Sequence, residues 1–191
     1  MQEISLRVVT IGDSKVGKTS LIYRYIKDQY DENLSPTVGV SVYPRVLPLE
    51  KYNVVVNICD TAGQEKYRSL GSIFYHNAIG AIVVFDVTNR ESFENVPKWV
   101  EEYKANAQEP LVFIAANKSD ISDKAVITFD ETLELANQLE TQCIWTSAKD
   151  GSGVTDLFEL LNDEIKEYVL RSNAIIENPT TKPASSSSSC C

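Results

Sequence analysis

Near the start of the chain, Gly12, Asp13, Ser14, Lys15, Val16, Gly17, Lys18 and Thr19 have the types and spacing that hold a phosphate. Glycines let the backbone wrap closely around an anion, and its N–H groups, together with a helix N-terminus, face the negative charge. In this pattern Lys18 reaches the outer phosphates, and the Thr19 hydroxyl can bind Mg²⁺. A second segment, Asp60-Thr61-Ala62-Gly63-Gln64, adds a carboxylate that can support the cation, commonly through water. Gly63 there allows the backbone close to a γ-phosphate, and Gln64 can orient an attacking water. Alone, that pentapeptide is also compatible with an ordinary turn. A third segment, Asn117-Lys118-Ser119-Asp120, offers a carboxylate able to accept hydrogen bonds from both the ring N–H and the exocyclic amine of guanine. Adenine cannot present that pair of donors.

These groups need elements that place them together. Leu6 to Ile11 is a short β-branched and apolar run that ends at Gly12, and from Lys18 onward Leu21, Ile22 and Tyr25 have helical spacing. The phosphate-binding loop is therefore expected between a strand and a helix. Val54 to Ile58, Ala81 to Phe85, Leu111 to Ala115 and Cys143 to Trp145 are further apolar runs suited to strands buried on both faces of a parallel sheet. Val40 to Leu49 alternates like a strand but holds Pro44 and Pro48, which assigns it to a sheet edge. Helical patterns fall between these runs, over Phe93 to Tyr103 and over Thr128 to Leu139, where Thr128 and Glu131 have capping-box spacing. The last and clearest follows the turn Gly151-Ser152-Gly153 and lines up Val154, Leu157, Phe158, Leu161, Ile165 and Tyr168. The expected fold is α/β: a doubly wound, mostly parallel sheet of about six strands with one antiparallel edge strand, flanked by about five helices.

The 191 residues suffice for one domain with a full core, and 43% hydrophobic with 24% charged residues is ordinary for a globular chain. A net charge of −9 attracts neither a nucleic-acid backbone nor an anionic lipid surface, so no nucleic-acid partner is expected. No run of apolar residues is long enough to span a bilayer, and the first residues lack the order of a secretory signal. Of four cysteines, Cys59 and Cys143 lie apart in the body while Cys190 and Cys191 close the chain, a layout unlike a disulfide framework or zinc site. A reducing compartment is the natural reading. The apolar pattern stops after Arg171, and the stretch beyond it ends in a serine run with almost no apolar content past Ile176. The expected organisation is a folded domain over residues 1–171 and a flexible tail over 172–191.

The three segments, in this order and spacing, resemble the small GTPases, and GDSKVGKT with DTAGQE looks most like the Rab family. The resemblance covers about residues 5 to 170. It implies a phosphate-loop small G domain that binds and slowly hydrolyses GTP with Mg²⁺ and cycles between GTP and GDP states. It further implies that Ser147-Ala148-Lys149 is a second guanine contact. By the same resemblance Thr37 is a switch threonine that binds Mg²⁺ only with the γ-phosphate present, and Tyr30 stacks on the base where the family has phenylalanine. Two residues depart from the pattern: Cys59 and Val42 stand where Rabs carry tryptophan and phenylalanine, which points either to a distinct set of effectors or to neutral drift at a partly exposed surface. No arginine lies between Tyr30 and Thr37. An arginine at the γ-phosphate is worth roughly 10³ to 10⁵ in rate, so an activating protein is expected to supply one and an exchange factor to speed release.

The Cys190-Cys191 ending resembles the double geranylgeranylation signal of Rabs, which implies prenyl-carrier proteins and a membrane anchor. Because the tail offers only Arg171 and Lys182 as cations, a basic patch cannot serve as the second membrane signal, and two lipid chains are needed. The resemblance implies a place on the cytoplasmic face of intracellular membranes, cycling with the cytosol, and work in vesicle trafficking; on oligomeric state the sequence is silent, and a monomer is the default. Val83 to Phe93 has a faint resemblance to the endocytic branch, without naming an organelle. Two rival functions remain: a phosphate-loop small-molecule kinase, and a module that holds GTP without hydrolysing it. His76 is assigned to packing or surface, Trp99 and Trp145 to the core, and Phe74-Tyr75 to packing of the switch region.

Overall fold

The computed structural model describes residues 2–35, 37, 39–49, 51–61, 75–107 and 110–177. Gly63, Gln64, Phe74, Cys190 and Cys191 lie outside them. The strands are β1 (Gln2–Ile11), β2 (Val40–Pro48), β3 (Tyr52–Thr61), β4 (Gly80–Asp86), β5 (Leu111–Asn117) and β6 (Gln142–Trp145). They form one six-stranded sheet in the order β2-β3-β1-β4-β5-β6. The pairing is parallel except for β2, which runs antiparallel to β3 at the edge. Pro44 and Pro48 fit that place, because an edge strand has one side on which no ladder donor is needed.

The helices are α1 (Lys18–Lys27), α2 (Arg90–Glu94), α3 (Val96–Asn106), α4 (Phe129–Gln138) and α5 (Val154–Glu177), with a 3₁₀ segment over Ser119–Lys124. The period-two alternation of the central strands divides the core. Val8, Ile58, Ile82 and Val84 face α1 and α5, packing with Leu21, Ile22, Leu157, Phe158 and Leu161. Their neighbours Val9, Ile11, Val83 and Phe85 face α3 and α4, packing with Val96, Trp99, Val100 and Leu135. Burying a large aliphatic side chain contributes about 1.5–3 kcal/mol, so each face is held by many such residues at once.

Two expectations about helices need adjustment. The Phe93 to Tyr103 pattern belongs to two helices separated at Asn95, the first started by Asn89, whose side chain accepts from the Ser92 N–H at 3.2 Å. The final helix runs on to Glu177, past the expected boundary at Arg171. Once nucleated, a helix gains a hydrogen bond with each residue it adds, which favours extension. The α4 start is as expected. Thr128 Oγ1 accepts from the Glu131 N–H at 3.3 Å, and Glu131 Oε2 accepts from the Thr128 N–H at 2.8 Å.

The register decides where chemistry collects. Thr10 at the end of β1 lies opposite Asp60 of β3, and Asp86 of β4 lies opposite Asn117 of β5. The phosphate-binding loop, Asp60 and Asn117 thus emerge from one edge of the sheet, where the chain leaves β1 toward β3 on one side and returns to β4 on the other.

Candidate functional site

The loop from Gly12 to Gly17 turns back on itself and needs glycine at both ends. Gly12 has φ +135°, and a Cβ there would lie 2.1 Å from the Val84 carbonyl oxygen; Gly17 has φ +99°, and its Cβ would lie 2.3 Å from Asn117 Nδ2. Lys18, only 6% exposed, donates from Nζ to the carbonyls of Gly12 at 2.9 Å and Asp13 at 2.7 Å. Burial lowers its pKa to about 8 against the opposing pull of Asp60 and Asp13. The Asp13 carboxylate is tied to the start of α3, accepting from Asn95 Nδ2 at 2.8 Å and from Trp99 Nε1 at 2.8 Å.

Three oxygen-bearing side chains from three segments converge beside this loop. Thr19 Oγ1 donates to Asp60 Oδ2 at 2.7 Å, Thr37 Oγ1 donates to the same oxygen at 3.1 Å, and the two hydroxyls lie 2.7 Å apart. Asp60 is 0% exposed, and its Oδ1 has no hydrogen-bond partner among the described residues. Burial pushes this carboxyl above its ordinary range, with the hydrogen bonds from Thr19 and Thr37 and the charge of Lys18 acting the other way. A buried carboxylate with a spare oxygen beside two hydroxyls is a donor set suited to Mg²⁺, a hard cation that takes oxygen ligands.

The other end of the cleft is stitched together. Asn117, 1% exposed, donates from Nδ2 to the Val16 carbonyl at 2.8 Å, and its Oδ1 accepts from Thr146 Oγ1 and the Ala148 N–H, each at 3.3 Å. The phosphate loop and the Ser147-Ala148-Lys149 turn are therefore fixed to one side chain. Ser147, fully buried, donates to Asp120 Oδ1 at 2.7 Å. Lys118 takes a left-handed conformation, and its ammonium meets Asp86 Oδ2 at 2.5 Å. Between these parts run a 360 Å³ cleft, lined by Lys15, Lys18, Thr19, Tyr30 and Thr37 among others, and a 210 Å³ extension reaching Asn117, Asp120, Ala148 and Lys149. The two share Gly17, Tyr30 and Lys118, so one continuous groove leads from the loop to Asp120. Its size suits a small polar ligand rather than a macromolecule.

The structure brings together all the sequence-derived site residues that it describes, and adds some that the sequence did not single out. Arg24 of α1 donates from Nε to the Ala148 carbonyl at 2.9 Å and from Nη2 to the Lys149 carbonyl at 2.7 Å. Asn95 and Trp99 hold Asp13, and Asp86 holds Lys118. An arginine on the polar side of an amphipathic helix and a tryptophan on an apolar face carry no local sign of such partners. Trp99 was expected in the core and is there, with its ring nitrogen serving the loop as well. Val42 and Cys59 prove to be directly opposed across β2 and β3. Val42 is 53% exposed, but Cys59 is 1% exposed, so among these two only Val42 presents itself to a partner.

A model of the Ras family matches residues 7–167. The chain is similar to the Ras-related protein RABA4b of Arabidopsis thaliana, 37% identical over 94% of this chain and 80% of that protein. It is equally similar to the GTP-binding protein ypt1 of Schizosaccharomyces pombe, 37% identical over 97% of this chain and 96% of that protein. The Ras-related protein RabC of Dictyostelium discoideum is 34% identical over 93% of this chain and 91% of its own length. With the loop, the Asp60 cluster and the Asp120 end arranged around one cleft, the chain belongs to the Rab group of small GTPases within the Ras family.

Proposed function

We propose that this chain binds GTP in the cleft, hydrolyses it slowly, and serves as a two-state switch read by partners in vesicle trafficking. The observation that carries the reading is Asp120, fixed by the Ser147 hydroxyl at 2.7 Å at the far end of a groove that begins at the phosphate-binding loop. A carboxylate held there as an acceptor selects a base edge with two donors.

In this reading Gly12 to Thr19 and Gly63 hold the phosphates, Tyr30 lies against the base, and Asn117, Lys118, Asp120 and the 147–149 turn complete its pocket. Thr19, Thr37 and Asp60 are the residues that would hold Mg²⁺, which when bound offsets the negative charge of the outer phosphates. Gln64 orients the attacking water. Thr37 and Gly63 engage only while the γ-phosphate is present, so its loss releases both segments. With no arginine from Tyr30 to Thr37, hydrolysis is slow until an activating protein adds one, and an exchange factor frees the product. Prenyl-carrier proteins and two geranylgeranyl chains on Cys190 and Cys191 bring residues 1–171, as a monomer, to the cytoplasmic face of an intracellular membrane. Exposed Val42 gives the effector surface a smaller side chain than the family's usual phenylalanine.

The test is the affinity of the purified protein for fluorescent GDP and ADP in Mg²⁺, beside the Asp120→Asn variant. GDP is expected to bind more tightly by at least about 10⁴, the scale set by polar groups left unpaired with the wrong ligand, and the variant to lose that preference. Equal binding of ADP would sink the guanine assignment and restore the small-molecule kinase reading. Single-turnover GTP hydrolysis separates the proposal from a module that only holds GTP.

A further inference from the structure

Four non-glycine residues among those described adopt positive φ: Lys15, Asp28, Lys118 and Glu140. Three have evident local reasons. Asp28 ends α1, Lys118 starts the 3₁₀ segment and pairs with Asp86, and Glu140 turns the chain from α4 into β6. Lys15, at φ +66°, lies in the turn of the phosphate loop between Gly12 and Gly17, where it carries a side chain in a conformation that favours glycine. A side chain in this region is strained, and such strain is retained mainly where it serves a site. The Lys15 side chain is exposed and makes no hydrogen bond or ion pair among the described residues. It nevertheless lines the 360 Å³ cleft together with Lys18, Thr19 and Thr37.

The surrounding charges sharpen this. Lys18 is buried and committed to the Gly12 and Asp13 carbonyls. The facing segment supplies Asp31 and Glu32 to the cleft lining but no cation. Among the described residues Lys15 is an uncommitted positive charge on the loop side, lining the cleft but not the extension that reaches Asp120. An ammonium placed there distinguishes ligands by how far their negative charge extends past the loop.

We propose that the Lys15 ammonium is a specificity-determining contact for the terminal phosphate, favouring the triphosphate over the diphosphate. This rests on the GTP reading above and goes beyond it, because the loop's backbone N–H groups and Lys18 serve both nucleotides. Exposure makes the contribution sensitive to salt, since charges in water are screened over about 8 Å at physiological ionic strength.

The experiment measures the ratio of dissociation constants for fluorescent GDP and a non-hydrolysable fluorescent GTP analogue in Mg²⁺. The proteins are the full chain, Lys15→Gln, Lys15→Arg and Lys15→Gly, each at low and high salt. Lys15→Gln is expected to reduce the preference for the triphosphate about tenfold, equivalent to about 1.4 kcal/mol. Lys15→Arg should retain it within about threefold, since both side chains carry the charge. High salt should shrink the difference between wild type and Lys15→Gln. Lys15→Gly, which also relieves the positive φ, should lose the preference while melting no lower than wild type, and it carries the test if Lys15→Gln folds poorly. An unchanged ratio in the charge-removing variants, or an equal fall for both nucleotides, overturns the proposal. An ADP arm keeps the two readings apart: wild type holding ADP as tightly as GDP refutes the guanine assignment, while the phosphate ratio still decides Lys15.

Discussion

At the base end of the cleft the walls are built from side chains that already have partners in the protein. Asn117 joins Val16 to the Thr146 and Ala148 turn, Ser147 holds Asp120, and Arg24 holds the Ala148 and Lys149 carbonyls. At the phosphate end Lys18 and Asp13 are held as well, but the corner around Asp60 is incomplete. Asp60 keeps one buried oxygen without a partner among the described residues, and Thr37 reaches the cluster from a segment whose neighbours Tyr30 to Asn33 are exposed. A preassembled end recognises the same group in either nucleotide at no reorganisation cost. An end left incomplete is finished by whatever the ligand brings, so a ligand that differs there can shift the conformation.

The largest test of this contrast removes the stitch. Asn117→Ala takes away bonds to Val16, Thr146 and Ala148 and leaves buried groups unpaired, at a cost of about 3 kcal/mol. Affinity for GDP and for GTP should fall together, by roughly 100-fold each. Isothermal titration with both nucleotides checks it. A fall for one nucleotide alone would show that the base end, too, responds to state.

The opposite end should behave in the opposite sense. Asp60→Asn removes a charge that burial already disfavours, so the melting temperature of nucleotide-free, Mg²⁺-free protein should hold or rise. The same change should abolish most of the Mg²⁺ dependence of GTP binding, a contribution of several kcal/mol where a cation polarises phosphate. In wild type, chelation with EDTA is expected to weaken GTP binding roughly 100-fold, and in the variant less than tenfold. A variant that is both less stable and still Mg²⁺-dependent would place the metal elsewhere.

How much of this the sequence disclosed follows the same division by distance. Contacts carried by short motifs were legible: the glycines of the loop, Lys18 beside them, and Asp120 after a strand need only local geometry to be recognised. The edge strand was legible because Pro44 and Pro48 exclude a central position. Supports separated by long stretches of chain were not. The Asp13 to Trp99 and Arg24 to Ala148 bonds join residues 86 and 124 positions apart, and only the β1-β4, β4-β5 and β5-β6 pairings bring the elements that carry them together. Burial of Cys59 was likewise hidden, since an antiparallel edge pair can combine one covered and one open member, as Cys59 and Val42 do.

Trp99 offers a subtler way to sharpen the comparison, because it supports the phosphate loop from behind without facing the cleft. Trp99→Phe keeps most of the apolar packing and removes the donor to Asp13. A hydrogen bond to a charged group contributes about 1.5–3 kcal/mol, and partial exposure of Asp13 favours the lower value, so affinity should fall about tenfold for both nucleotides. Asn95→Ala should act through the same carboxylate, and the double variant should be non-additive in a mutant cycle. Additive losses would mean that the two residues act on the fold separately and not on Asp13.

The smallest effect lies where the two ends touch. Glu32, from the exposed segment, meets Lys149 of the base turn at 3.6 Å, with side chains 69% and 57% exposed. An exposed pair of this kind contributes about 0.2–1 kcal/mol, so Glu32→Gln should speed GDP release less than about fivefold. High salt should remove even that difference by screening the pair. The measurement is stopped-flow release of fluorescent GDP at two ionic strengths. Acceleration well beyond tenfold, insensitive to salt, would mean that Glu32 latches the segment onto the base turn. The exposed segment would then be part of the preassembled end, and the division between a constant base site and a responsive phosphate site would have to move toward Thr37.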